Sequence, residues 1–176
     1  MVNYSYFYVW KNHFMLNLLG EFNCRVDAKG RMMFPVKLRK QLETVLHQGV
    51  VLNRDIFEKC LVLYPQPEWE RINKEMARLS RYDRDHQTFQ RKFMKGASLV
   101  ELDSAGRMLI PSSLLAYAGI DPVGDNEIIV TGIFEKIELW SAANYNQFVL
   151  GDDDDFGDLA SKVRKEIEGP QFPPLN

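Results

Sequence analysis

Two arginines occupy the same place in two copies of one motif. Asp27-Ala-Lys-Gly-Arg31 is followed four residues on by Pro35, and Asp103-Ser-Ala-Gly-Arg107 is followed four residues on by Pro111, so the copies stand 76 residues apart. An arginine fork suits planar, bidentate acceptors: a carboxylate, a phosphate, or the O6/N7 edge of guanine. The aspartate four residues before each arginine is placed to accept a charge-assisted hydrogen bond and pin a hairpin. Gly30 and Gly106 supply the positive φ that a tight turn demands. Asp27 and Asp103 invite misreading as an acid–base pair, but turn capping accounts for both. The motif presents charge and builds no catalytic pocket.

The surroundings of the two arginines differ. Arg25, Lys29, Lys37, Arg39 and Lys40 cluster around Arg31 in the sequence, as phosphate binding requires. At the positions of Lys29, Lys37, Arg39 and Lys40 the second copy has Ala105, Ser113, Leu115 and Ala116. The whole chain has a net charge of −2, yet residues 20–98 carry an excess of Lys and Arg while residues 99–150 and 151–176 are net acidic. Such asymmetry points to a polyanion partner for one half. It assigns nucleic-acid contact chiefly to Arg31 and a turn-pinning role to Arg107. Arg81, Arg84, Arg91, Lys92 and Lys95 form a second basic group, read first as a solvated helix face and second as a source of extra DNA-backbone contacts or a surface for a neighbouring subunit's acidic half.

Other chemistries find little support. The chain lacks GxSxG, P-loop and HExxH patterns, so the expectation is a non-enzyme with no cofactor and no small-molecule substrate. His13, His47 and His86 are scattered, and Gly151-Asp-Asp-Asp-Asp lacks the ligand spacing of a calcium loop, so no metal is expected. Cys24 and Cys60 sit in apolar strand-like runs and read as buried thiols in a reducing cytoplasm. No stretch is long and apolar enough for a bilayer. Residues 1–14 look like an extension without signal-peptide features, which leaves Met15 as a candidate start.

The elements that must hold these loops follow from period and punctuation. Residues 21–26 and Arg31-Met-Met-Phe flank the first turn as strands. A short helix is expected from Val36 to Leu46, with Leu38, Leu42 and Leu46 on one stripe and Pro35 at its first position. Val50–Asn53 and Lys59–Tyr64 read as two more strands. A helical hairpin follows, first with Trp69, Ile72, Met76 and Leu79 on one face and Glu70 paired to Lys74, then with Asp83 as N-cap and Phe89 and Phe93 on one side. Gly96 ends it. The second copy repeats the pattern from Ser98, with a helix over about 112–118 closed by Gly119, strands at Asn126–Val130 and Lys136–Trp140, and a last helix capped by Ser141. From Gly151 onward the Asp run and Pro-rich end suggest disorder.

Asp-x-x-Gly-Arg, three mostly apolar residues and proline resemble the signature of the AbrB-type swapped-hairpin barrel. Two such units, split by a helical hairpin opening on Tyr64-Pro-Gln-Pro-Glu-Trp69, are similar to the MraZ family of bacterial transcriptional regulators. The likeness runs from about Gly20 to Trp140 and includes Gly20-Glu21-Phe22, Leu63-Tyr64-Pro65, Tyr117-Ala118-Gly119 and Glu138-Leu139-Trp140. It implies an α+β fold in which two AbrB-type swapped-hairpin β units form a pseudo-dimeric barrel, with a helical hairpin between them and a C-terminal helix. The expected boundaries are an extension at 1–20, a first SpoVT/AbrB-like domain at 21–67, the hairpin at 68–96, a second such domain at 97–143, and a helix with acidic tail at 144–176. The resemblance further implies a ring-forming homo-oligomer, cytoplasmic and nucleoid-associated, that binds short direct repeats in double-stranded promoter DNA of the division and cell-wall genes. The family's DNA-contact arginine falls on Arg31 and Arg107, and its basic loop neighbour on Lys29. The rival expectation is a protein-interaction ring or antitoxin-like scaffold acting on another division or cell-wall factor.

Overall fold

Each Asp-x-x-Gly-Arg turn joins a longer strand or bridge to a three-residue strand, and the two short strands pair with each other. The computed structural model describes residues 16–149, 151 and 156–167. Its strands are β1 (Leu18–Arg25), β2 (Arg31–Met33), β3 (Val50–Arg54), β4 (Leu61–Pro65), β5 (Ser98–Val100), β6 (Arg107–Leu109), β7 (Glu127–Phe134) and β8 (Lys136–Ser141). Its α-helices are α1 (Val36–Gln41), α2 (Gln66–Met76), α3 (Arg84–Met94), α4 (Ser112–Ala118), α5 (Ala142–Phe148) and α6 (Phe156–Ile167). The chain is therefore α+β, with every strand pairing antiparallel.

The pairing exchanges strands between the copies. A six-stranded sheet runs β1-β7-β8-β4-β3-β5, and β2 pairs with β6 in a separate ribbon. The first strand of each copy thus lies beside the third strand of the other. Equivalent positions meet at Met32↔Met108 in the ribbon and at Val62↔Glu138 in the sheet, which places a pseudo-two-fold axis between those pairs. Continuous apolar runs in β3 and β4 suit this position, because both faces of the central strands are covered. One core cluster draws on both copies, including Leu18, Met32, Leu38, Leu63, Met108, Leu114 and Leu139. Neither copy could bury these residues alone. A second cluster of Val51, Trp69, Ile72 and Phe93 docks the helical hairpin.

The structure departs from the sequence expectations at several points. The six-stranded ladder has two edges, β1 and β5, and does not close into a barrel among the described residues. The helix expected to reach Leu46 ends at Gln41, with Leu42 as its C-cap, and a 3-10 turn follows at Leu46–Gln48. Pro35 is the N-cap rather than the first helical residue. Leu38 and Leu42 are nonetheless fully buried, while Leu46, the third residue of the expected stripe, lies outside the helix and is only partly buried. In α2 the ion pairs are made by Arg71, with Glu68 at 2.5 Å and with Glu75, instead of by Glu70 and Lys74. Leu79 lies beyond that helix. Asp83 does cap α3, accepting from the His86 N–H at 2.9 Å.

Cys60 is buried and Cys24 half-buried, both as free thiols. The expected disorder after Gly151 is interrupted by α6, where Phe156, Leu159, Val163 and Ile167 recur at helical spacing. The described residues divide into a first unit ending at Ala142 and a second beginning at Ala143. The N-terminal extension at 1–14 and the Asp run at 152–155 lie outside the described residues.

Candidate nucleic-acid interface

Asp27 organises the first turn with one carboxylate. Its Oδ1 accepts from the backbone N–H groups of Lys29 and Arg31, each at 2.9 Å. Its Oδ2 accepts from Nε of Arg31 at 2.8 Å and from Nη2 at 2.7 Å. The backbone closes around it, with Asp27 N–H donating to the Arg31 carbonyl at 2.7 Å and Gly30 N–H to the Asp27 carbonyl at 2.8 Å. Asp103 does nearly the same in the second turn. It accepts from the N–H groups of Ala105 and Arg107 at 2.9 Å and from Nε of Arg107 at 2.8 Å.

Aspartate pinning is therefore common to both copies. It holds both arginines, and Arg31 by one bond more. Pinning and recognition are compatible, because a guanidinium has five N–H donors and Asp27 takes only two of Arg31's. The remaining edge of the fork is fixed in direction by the first. The hydrogen bonds from Arg31 hold the Asp27 carboxyl at about 2, well below its ordinary 3.8. Asp103 is lowered too, chiefly by the Arg107 backbone N–H. Both turns therefore keep their carboxylates ionised at any physiological pH. Arg31 is held protonated first by Asp27 and more weakly by the charge of Asp103.

The ribbon joins the two turns, one at each end. Arg31 sits opposite Leu109, and Met33 opposite Arg107. The glycines interlock: Phe34 N–H donates to the Gly106 carbonyl at 3.0 Å, and Ile110 N–H to the Gly30 carbonyl at 2.9 Å. Both glycines have positive φ, +81° and +79°. The two arginine side chains are about a third to two fifths exposed, so both reach solvent from one ribbon.

The other basic residues named from the sequence separate in space. Lys29 is exposed on the first turn, and Lys37 and Lys40 are exposed on α1. Arg25 lies at the end of β1 and pairs with Glu127 at 2.5 Å. Arg39 is half-buried and does not belong to the first turn. A β-carbon built on Gly106 would stand 2.5 Å from its Nη1 and 3.6 Å from its Cζ, so its guanidinium lies over the second turn. Arg39 and Lys40 also border a groove of about 650 Å³ with Glu43, His47 and Glu101. Sequence proximity to Arg31 hid the placement of Arg39. The signal that could have found it is the strand exchange itself, which brings each copy's helix beside the other copy's turn.

Arg81, Arg84, Arg91, Lys92 and Lys95 are all exposed, as a solvated face would be. Among the described residues no set of His, Cys, Asp and Glu converges as a metal ion requires, and no helix is long and apolar enough to cross a membrane.

Comparison with known proteins agrees with the duplication. The family described as "MraZ protein, putative antitoxin-like" matches twice in tandem, over residues 17–92 and 93–161. The chain is 41% identical to the "Transcriptional regulator MraZ" of Christiangramia forsetii over 149 residues, covering 85% of this chain and 94% of that protein. It is 40% identical to the protein of the same name from Cytophaga hutchinsonii over 81% of this chain and 91% of that one. The corresponding protein of Flavobacterium psychrophilum is 34% identical over 90% of this chain and 98% of its own length.

Proposed function

The chain belongs to the MraZ family, and from that premise we propose that it is a sequence-specific DNA-binding transcriptional regulator whose two Asp-x-x-Gly-Arg turns contact DNA. The observation that carries this reading is the ribbon. It carries two aspartate-held arginines on one face, one at each end, each with donors to spare and partly exposed. A guanidinium fixed along one edge by a carboxylate offers its other edge to guanine or phosphate with little further loss of freedom. Lys29, Lys37 and Lys40 supply phosphate contacts around them. Arg25 does so as well once released from Glu127. Asp27, Gly30, Asp103 and Gly106 shape the turns.

The finer reading follows from modest valence. Each chain neutralises few phosphates, so single-chain affinity is low. A homo-oligomeric ring raises it by engaging several short direct repeats at once. The target is the promoter region of the division and cell-wall genes, and the protein acts in the cytoplasm at the nucleoid. The strand exchange supports reading residues 21–67 and 97–143 as two AbrB-type units sharing one core, with the hairpin at 68–96 between them and the helix and tail at 144–176 after them.

The test is a gel shift against the chain's own upstream DNA, with wild type beside Arg31→Ala and Arg107→Ala. Loss of a bidentate base contact should weaken binding by about 5- to 150-fold, as expected for 1–3 kcal/mol. Binding should also fall steeply with salt. Wild-type affinity in both variants would overturn the site. The family description favours a second reading, an antitoxin-like interaction scaffold working through the acidic second half. Absence of any salt-sensitive DNA binding would favour it.

A further inference from the structure

The two turns are complete only in combination, because each is roofed by residues of the other copy. Over Gly30, a built β-carbon would meet Leu115 Cδ1 at 3.4 Å and Leu109 Cδ1 at 3.8 Å. Over Gly106 it would meet Arg39 Nη1 at 2.5 Å and Met33 Sδ at 4.0 Å. Leu115 is the second-copy counterpart of Arg39, and Leu109 the counterpart of Met33, at the same offset of 76 residues. The roofs are thus one structural position used twice, crossed over by the strand exchange. At that position the first turn receives a leucine, and the second receives a cation.

This crossing redistributes the charge that the sequence allotted to the first copy alone. The first turn carries its own Lys29 and Arg31. The second turn has Ala105 in place of a lysine, which left Arg107 as its one cation in the sequence. Arg39 fills the deficit from the opposite side. Among the described residues, no carboxylate lies within ion-pair distance of Arg39, whereas Arg31 and Arg107 are both held by aspartates. A cation so placed, with its stem on α1 and its head beside an exposed turn, has donors available for an anionic partner.

We propose that Arg39 is a DNA-contact residue of the second turn, so that the two turns are equivalent two-cation sites, Lys29 with Arg31 and Arg39 with Arg107. The inference rests on the DNA-binding reading of the turns. The second copy is then a full reading element with a borrowed residue, and not merely a partner that completes the fold. Both turns then meet the DNA with matched charge.

A double-mutant cycle on one direct-repeat duplex tests this. Arg39→Leu copies the leucine that nature places at Leu115, so the fold tolerates it at an equivalent site, and the urea midpoint verifies folding. Arg39→Gln gives a second, polar variant. Each should weaken binding about 5- to 20-fold and reduce the slope of log affinity against log salt by about one, the signature of one lost phosphate contact. Arg39→Leu should combine less than multiplicatively with Arg107→Ala, its neighbour, and multiplicatively with Arg31→Ala, on the other turn. Adding Ala105→Lys to Arg39→Leu should restore most of the affinity and the salt slope.

Wild-type binding by both Arg39 variants, coupling to Arg31 instead of Arg107, or no rescue by Ala105→Lys would each overturn the assignment. These outcomes are separable from failure of the underlying reading. If Arg31→Ala and Arg107→Ala themselves bind like wild type, the turns are not the DNA site at all. If they lose binding while the Arg39 variants keep it, only the shared cation is refuted.

Discussion

Phe34 donates its backbone N–H to the carbonyl of Gly106 at 3.0 Å, tying the returning strand of the first copy to the turn of the second. With the reciprocal bond from Ile110 to Gly30, this makes the two Asp-x-x-Gly-Arg turns one rigid object. A change in either turn is therefore felt by both.

Alanine at the turn glycines should reveal that coupling unequally. At Gly30 the new methyl meets positive φ and the Ile110 carbonyl oxygen at 3.1 Å, a backbone atom fixed by the ribbon. At Gly106 it meets the tip of Arg39, which is free to swing away. Gly30→Ala should lower stability by about 1–3 kcal/mol, and Gly106→Ala by less, mainly the left-handed strain of about 1–2 kcal/mol. Urea midpoints at equal protomer concentration and unchanged m-value measure both. Equal losses would show that the Ile110 contact relaxes freely.

Acid should loosen the first turn over a defined range. The Asp27 carboxyl is depressed from 3.8 to about 2, so its contribution is fully present above the unfolded value. That contribution is lost as pH falls through the folded value. The stability difference between wild type and Asp27→Asn should be constant at about pH 5 and above, then shrink steadily from about pH 4 to pH 2. Thermal unfolding of both proteins across that range measures it. A difference that persists undiminished at about pH 2 would mean that the Asp27 side chain supports the turn without its charge.

Much of this architecture was legible in the chain because its signals are local. The turn glycines, the Asp83 cap, the Leu38–Leu42 stripe and the Trp69 face are each set by a few neighbouring residues, and each appears where expected. What was not legible depends on long-range pairing. Whether β1 lies beside its own β3 or beside β7 leaves no mark on either strand's alternation; the resemblance to swapped-hairpin proteins implies the exchange, but not the open six-stranded order. The placement of Arg39 over the second turn depends on the same exchange and leaves no local mark among the five basic residues close to Arg31 in sequence. The helix α6 is masked in the sequence by the neighbouring Asp run, which outweighs the four apolar residues spaced along it.

The two thiols should separate by accessibility. Burial raises the Cys60 thiol strongly and the Cys24 thiol as well, so neither is much ionised near neutral pH. Cys60 is wholly buried in β4's approach, whereas Cys24 is half-exposed on edge strand β1. Alkylation of the native protein should modify Cys24 slowly and leave Cys60 untouched until the core opens. Mass spectrometry after timed labelling reads the order. Early modification of Cys60 would mean that β4 opens locally, against its place at the centre of the sheet.

Trp69 stacks on Phe93 with ring centroids 5.9 Å apart and planes 14° apart, and it touches Tyr64 at 5.8 Å. Asn53 of β3 ties α3 by donating to the Phe93 carbonyl at 2.9 Å. This cluster is distinct from the core beneath the ribbon. Trp69→Ala should therefore cost about 3–5 kcal/mol of stability, yet leave DNA affinity unchanged well below the melting temperature. Met108→Ala removes a fully buried side chain at the centre of the ribbon and should cost about 2–5 kcal/mol. It should also weaken DNA binding, because Met108 and Met32 hold the two turns in register. Comparing the two variants at matched fractions folded separates support of the hairpin from support of the reading surface. Equal loss of DNA binding in both would show that the helical hairpin, and not only the ribbon, orients the arginines.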